Sequence, residues 1–221
     1  MSIDTARKLI ETIKTDLAEI DGRIRNHEFI TTLEEGKIPR EALKNFAGHQ
    51  HYINGSDLRS IALLISRQGS ETGRKYHTDL LLGKTAAAEA LLEFAAALDL
   101  DEDWLNSYEP HPGGAAYTSY VAWLAANGTD AELAAGYLVN LPAWGANCGR
   151  MSHALKRRYG FESGDLTFFT LFACPPPSFE KESLDVVADG LARGVEPKRI
   201  ARAARLLQGY ELMYWDTMSG L

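Results

Sequence analysis

"RIARAARLLQGYELMYWDTMSGL" (Arg199–Leu221) is the stretch whose period decides the fold. Ile200, Ala204, Leu207, Tyr214 and Met218 recur at helical spacing and mark a seam that faces a core. Glu211 falls on that seam, between Leu207 and Tyr214. An unpartnered carboxylate in an apolar interior costs several kcal/mol, so Glu211 must be paired, hydrated or turned toward a cavity.

The same period governs the rest of the chain, and strand-like alternation is nearly absent. One helix is expected from about Asp4 into "TTLEEGK", and a second opens at Pro39 and runs to about Arg67. "GSETG" is a break. Two short helices are expected over Lys75–Leu82 and Thr85–Leu98. "DLDEDWLNSYEPHPGG" is a connection with one short turn, and Ala115–Asn127 is helical. Thr129 and Glu132 form a capping box. The helix they open is interrupted near Pro142, and helical pattern resumes to "RRYG". Ser163–Ala173 is a further helix, "CPPPS" a firm stop, Ser178 a cap for a helix to about Arg193, and Glu196-Pro197 opens the last one. The expectation is an all-α bundle filling 1–221 as a single domain, with any ligand site between facing helices.

Composition narrows the function. The chain of 221 residues is 45% hydrophobic and 24% charged, an ordinary globular balance. Its net charge is −7, and the one basic cluster, Lys156, Arg157 and Arg158, is short. Nucleic acid is therefore not the expected partner, since such binding depends on phosphate neutralisation. No apolar run approaches membrane-spanning length and the start lacks a signal-peptide pattern, so a cytoplasmic protein with no membrane partner is expected. Cys148 and Cys174 fit no metal or redox spacing and read as free thiols.

The second helix repeats the oddity of the last. Leu43, Phe46, Ile53, Ile61 and Leu64 define its inward stripe, and Gln50 and Asp57 fall on it, with His49 and Tyr52 alongside. The plain alternative is that these groups satisfy one another or a neighbouring helix end. Two helices with the same defect point instead to a shared polar chamber. Tyr117, Tyr120, Trp123, Trp144, Phe172, Tyr210, Tyr214 and Trp215 are available to wall it against a flat heteroaromatic ligand. A buried carboxylate there has its pKa raised, which suits acid/base work near neutral pH.

Four segments resemble the TenA/thiaminase-2 family of the haem-oxygenase-like superfamily, which also holds the pyrroloquinoline-quinone synthase PqqC. They are "NHEFITTLEEGKIPREALKNFAGHQHYI", "GGAAYTSYVAWLAANGTDAEL", "VNLPAWG" and, most specific, "GYELMYWDTM". The resemblance implies a haem-oxygenase-like helical bundle, a homodimer or homotetramer, and hydrolysis of aminopyrimidines or thiamine for salvage. It makes Glu211 the proton-handling catalytic residue. Tyr52 and Tyr117 match pocket tyrosines, His49 stands where the family usually has aspartate, and Phe172 replaces a pocket tyrosine. The family's nucleophilic cysteine aligns with Asn140 without gaps, or with Ala143 if the Leu-Pro pairs are matched; neither supplies a thiolate. The expected function is thus a TenA-like hydrolase of a thiamine-derived aminopyrimidine or similar amine, without that cysteine. Gln50, Asp57, Asn140, Trp144, Tyr210 and Trp215 complete the expected ligand-binding set, with no cofactor and no metal. Two alternatives stand beside it. One is a haem-oxygenase-like oxidase, di-iron or of the PqqC kind. Against di-iron, "LLLGKTAAAEALLEF" and "FFTLFACPPPSFEKESLDVV" offer no histidine, and His49 and His51 point to different faces of their helix. The other is a protein that binds a small aromatic metabolite without turning it over.

Overall fold

The computed structural model describes residues 2–67 and 70–221. Among them no strand occurs. The helices are α1 (Ile3–Asp16), α2 (Ala18–Arg25), α3 (Glu28–Glu34), α4 (Arg40–Arg67), α5 (Glu71–Ala96), α6 (Glu102–Ser107), α7 (Pro112–Asn127), α8 (Asp130–Tyr159), α9 (Thr167–Ala173), α10 (Phe179–Ala192) and α11 (Pro197–Gly220). The order of packing closes a ring. α4 packs on α5 and α7, α7 on α11, α11 on α8, α8 on α9, and α9 back on α5. Phe46, Phe94, Phe168 and Phe169 fill the ring's apolar half. A second cluster from α1 and α10 packs on the outer side of α8.

Local chemistry sets most ends. The Thr129 hydroxyl accepts from the Glu132 amide while Glu132 returns the bond to the Thr129 N–H, so the expected capping box is formed. Gly160 closes α8 in the left-handed region at φ 76°, where glycine carries no Cβ penalty. Ser70 caps α5 through the Gly73 N–H; of the expected "GSETG" break, Glu71, Thr72 and Gly73 are already helical, and Gly69 lies outside the described residues. Ser178, expected as a cap, has helical angles and makes no capping bond.

Three segmentations differ from expectation. The single N-terminal helix is three, broken at Leu17 and at the extended His27, whose ring accepts from the Phe29 N–H. All three pieces touch α8 and α11, with α1 lying chiefly on α10, α2 on α11 and α8, and α3 on α8. In the opposite sense, α5 and α8 each run unbroken where two helices were expected. Gly83 costs α5 about 1 kcal/mol against alanine, and packing on α4 outweighs it. Pro142 removes the amide that would bond the Leu138 carbonyl, yet α9, α10 and α11 hold α8 on both sides of it.

Candidate functional site

Six elements of the ring aim polar and aromatic side chains at one small chamber. α4 contributes Gln50 and Ile53, α5 Lys84, and α7 Tyr117. α8 contributes Asn140, Leu141 and Trp144, α9 Phe172, and α11 Glu211 and Tyr214. Helical spacing accounts for the sets: Gln50 and Ile53, Asn140 and Trp144, Glu211 and Tyr214 lie three or four residues apart. The chamber measures about 20 Å³, room for about one water. Lys84, Leu141 and Phe172 also line a second space, an apolar cleft of about 740 Å³ between α5, α8, α9 and the start of α10.

Glu211 is nearly inaccessible. Burial pushes its carboxyl up to about 7, while the Trp215 indole N–H, the Asn140 amide and the Lys84 charge pull it back. The Trp215 Nε1–H donates to Glu211 Oε1 at 2.8 Å. Tyr117 OH donates to Asn140 Oδ1 at 3.2 Å, and Asn140 Nδ2 donates to Gln208 at 3.1 Å. Gln50 Nε2 donates to the Tyr214 hydroxyl at 2.9 Å. Tyr214 therefore keeps its own proton to donate. The chamber thus offers a carboxyl poised near neutrality, oriented amides and phenols, and flat walls. Such a set can shuttle protons and hold the polar atoms of a ligand's reacting end.

A buried ion pair stands beside the carboxyl. Lys84 Nζ donates to Asp57 Oδ2 at 2.8 Å, and Thr118 donates to the other oxygen at 2.7 Å. The ammonium lies 5.7 Å from the Tyr137 ring centre and 5.5 Å from that of Phe172.

The family model of TENA/THI-4/PQQC proteins matches residues 15–166 of this chain. The chain belongs to the TENA/THI-4/PQQC family. A search of curated proteins finds no match. Among solved structures, a TenA homologue of Pseudomonas syringae pv. tomato aligns over 96% of this chain and 92% of its own at 14% identity, TM-score 0.77. A TenA homologue of P. horikoshii aligns over 95% and 97% at 16% identity, TM-score 0.74. Haem oxygenase-1 of the cyanobacterium Synechocystis, solved with haem, aligns over 96% and 92% at 11% identity, TM-score 0.71. The fold is haem-oxygenase-like.

Within this TENA/THI-4/PQQC fold, the residues expected at the site divide. Gln50, Tyr117, Asn140, Trp144, Phe172 and Glu211 meet at the chamber. Trp215 stands one layer out, bonded to Glu211. Asp57 also sits behind the wall, both its oxygens taken by Lys84 and Thr118. Tyr52 is 41% exposed. Tyr210 packs 5.4 Å from Tyr120, which stacks on Trp123 at 5.8 Å, in an aromatic ladder that does not line the chamber.

His49 is a strut. Its Nε2 accepts the His111 backbone N–H at 3.0 Å, which fixes the proton on Nδ1, against the Asn45 carbonyl at 2.9 Å and Tyr108 OH at 2.7 Å. Burial lowers its pKa, with the nearby His111 adding to that and the Asn45 carbonyl opposing it. The ring ties α4 to the connection before α7, and Gly114 leaves the space it needs, because a Cβ there collides with it. Gly114→Ala is expected to destabilise the protein by about 1–3 kcal/mol in urea unfolding. A cost within a few tenths of a kcal/mol would contradict the strut.

Neither cysteine lines the chamber. Cys148 is fully buried, and burial and then Glu211's charge drive its thiol well above the ordinary range, against the pull of Lys84. Cys174 is exposed, at the edge of the outer cleft. Iodoacetamide at neutral pH is expected to label Cys174 and spare Cys148 in the native protein, as peptide mass spectrometry reads. Labelling of Cys148 before unfolding would contradict this reading.

Lys84 was the residue missed. A signal existed: it lies three residues before Ala87 and seven before Leu91, both buried, so it falls on the inward seam of α5 as Glu211 does on α11.

Proposed function

We propose that this protein hydrolyses a C–N bond of a small heteroaromatic amine, of the thiamine-derived aminopyrimidine class, with Glu211 as acid/base and water as nucleophile. The observation that carries the reading is Glu211 itself: a buried carboxyl, held by the Trp215 N–H and bordering a space of about one water, which burial pushes up to about 7. The ionised form takes a proton as water attacks the carbon bearing the departing nitrogen. The C–O bond forms, the C–N bond breaks, and the carboxylic acid returns the proton to the leaving amine. Asn140, Tyr117, Gln50 and Tyr214 line the chamber that receives the scissile bond, and Phe172 stands where that chamber meets the wider cleft that takes the ring. The family membership supports this chemistry, and the lack of a chamber thiol favours water over a covalent route.

The test is hydrolysis of an aminopyrimidine panel by wild type and Glu211→Gln. Equal rates remove Glu211 from the mechanism. Calorimetric binding of panel members with no product by mass spectrometry converts the reading to that of a binding protein.

A further inference from the structure

The chamber around Glu211 holds about one water, too little for any ring, while the cleft next to it holds about 740 Å³, within the usual range for small-molecule sites. The two share Lys84, Leu141 and Phe172 as walls. The cleft is open by construction. α5 and α8 face it with Gly83, Ala86, Ala87 and Ala146, and a Cβ placed on Gly83 meets nothing within 4 Å.

Its polar groups are sorted by depth. Tyr76 OH takes a bond from Ser183, and the exposed Lys75 holds Asp79 and Glu182 at 3.0 and 3.1 Å. At the junction with the chamber stands Lys84, the one cation among the cleft's lining residues. Its ammonium carries three N–H donors, and Asp57 takes one. Among the described residues no other hydrogen-bond partner of Lys84 is recorded, and the rings of Tyr137 and Phe172 stand close to it on the remaining sides. A buried ammonium in that position draws an acceptor oxygen.

We infer that the natural ligand is elongated, with an apolar body in the outer cleft and a carboxylate or carbonyl head that passes Phe172 to bond Lys84. This deepens the proposed function and rests on it for which end reacts: the head delivers the ligand's scissile bond toward Glu211, and the cleft selects the body. Lys84 is then a positioning and specificity residue, and Gly83 lines the body subsite.

The probes are octanoate, butanoate and octylammonium, titrated calorimetrically into the full chain. Octanoate is expected to bind, butanoate more weakly, and octylammonium not at all beside Lys84. Gly83→Phe fills the cleft without a clash at its Cβ and replaces a helix-weakening residue, so its Tm is expected to hold or rise. It is expected to weaken octanoate by about tenfold or more, the equivalent of two buried methylenes, and to leave butanoate within about twofold. The Asp57→Asn/Lys84→Met double variant removes both charges together and is expected to abolish the preference for octanoate over octylammonium.

Absence of octanoate binding by wild type, equal binding of both octyl probes, or an unchanged octanoate affinity in Gly83→Phe would each overturn the inference. So would a Gly83→Phe protein whose only change is in oligomeric mass, which assigns the cleft to a second copy of the chain. The hydrolase reading fails separately. Octanoate binding by a protein that hydrolyses no aminopyrimidine keeps this inference and removes that one. Hydrolysis that Gly83→Phe leaves untouched and octanoate does not inhibit does the reverse.

Discussion

Lys84→Met is expected to lower the unfolding free energy by about 3–5 kcal/mol. Lys84 and Asp57 are both buried, Asp57 completely, and among the described residues the ammonium is the only cation bonded to that carboxylate. Methionine keeps the length of the side chain and removes its charge, so the buried Asp57 carboxyl loses its counter-charge and keeps, among the described residues, the Thr118 donor alone. The attraction of the ammonium to the Tyr137 and Phe172 rings is lost as well. The Asp57→Asn/Lys84→Met double variant is expected to recover most of the loss, because the desolvation cost of both charges disappears with them. Urea unfolding of wild type, Lys84→Met and the double variant measures the coupling. A single variant that costs under about 1 kcal/mol would show that the pair is hydrated and weak, as exposed pairs are.

Glu211→Gln should move activity and stability in opposite directions. Hydrolysis is expected to fall by about 10²–10⁴-fold, the usual worth of a positioned acid/base. Stability follows from linkage. The carboxyl's pKa rises from an ordinary 4.5 to about 7 in the folded chain, so the native state holds the proton more tightly than the unfolded one. The stabilising contribution is complete below about pH 4.5 and drains away as pH climbs through about 7. The whole swing is about 3 kcal/mol. Glutamine imitates the protonated form and can still accept the Trp215 N–H, so the variant should match wild type near pH 4.5 and exceed it at pH 8. Chemical denaturation at the two pH values reads this directly. A variant less stable than wild type at pH 8 would mean that the ionised carboxylate is well solvated or paired, and the case for a poised acid would collapse. A residue that weakens the fold while serving chemistry is the expected compromise of an active site.

How much of this was legible beforehand varies by residue. The inward seams of α4 and α11 were readable, and each of their apolar members is buried. Glu211 and Gln50 were found from those seams, and they do share a chamber. Asp57 was found by the same rule yet faces Lys84, because a seam names a side of a helix and not the neighbour it meets. His49 looked like a ligand-binding group by resemblance. Its ring is spent on Asn45, Tyr108 and His111, two of them some 60 residues away. Tyr52 and Tyr210 carried aromatic character that periodicity could not aim.

The sequence alone determined the helical class, the buried faces, the capping box at Thr129, and the fact that an acid would lie inside. Those follow from a period of 3.6 residues and from chemistry within a few residues along the chain. Only the tertiary structure decided that Lys84 answers Asp57, that Gly83 and Ala146 line one open cleft, and that Cys148 is sealed from solvent. Pairing, voids and desolvation sum over neighbours brought together from distant segments, and no local pattern contains those sums.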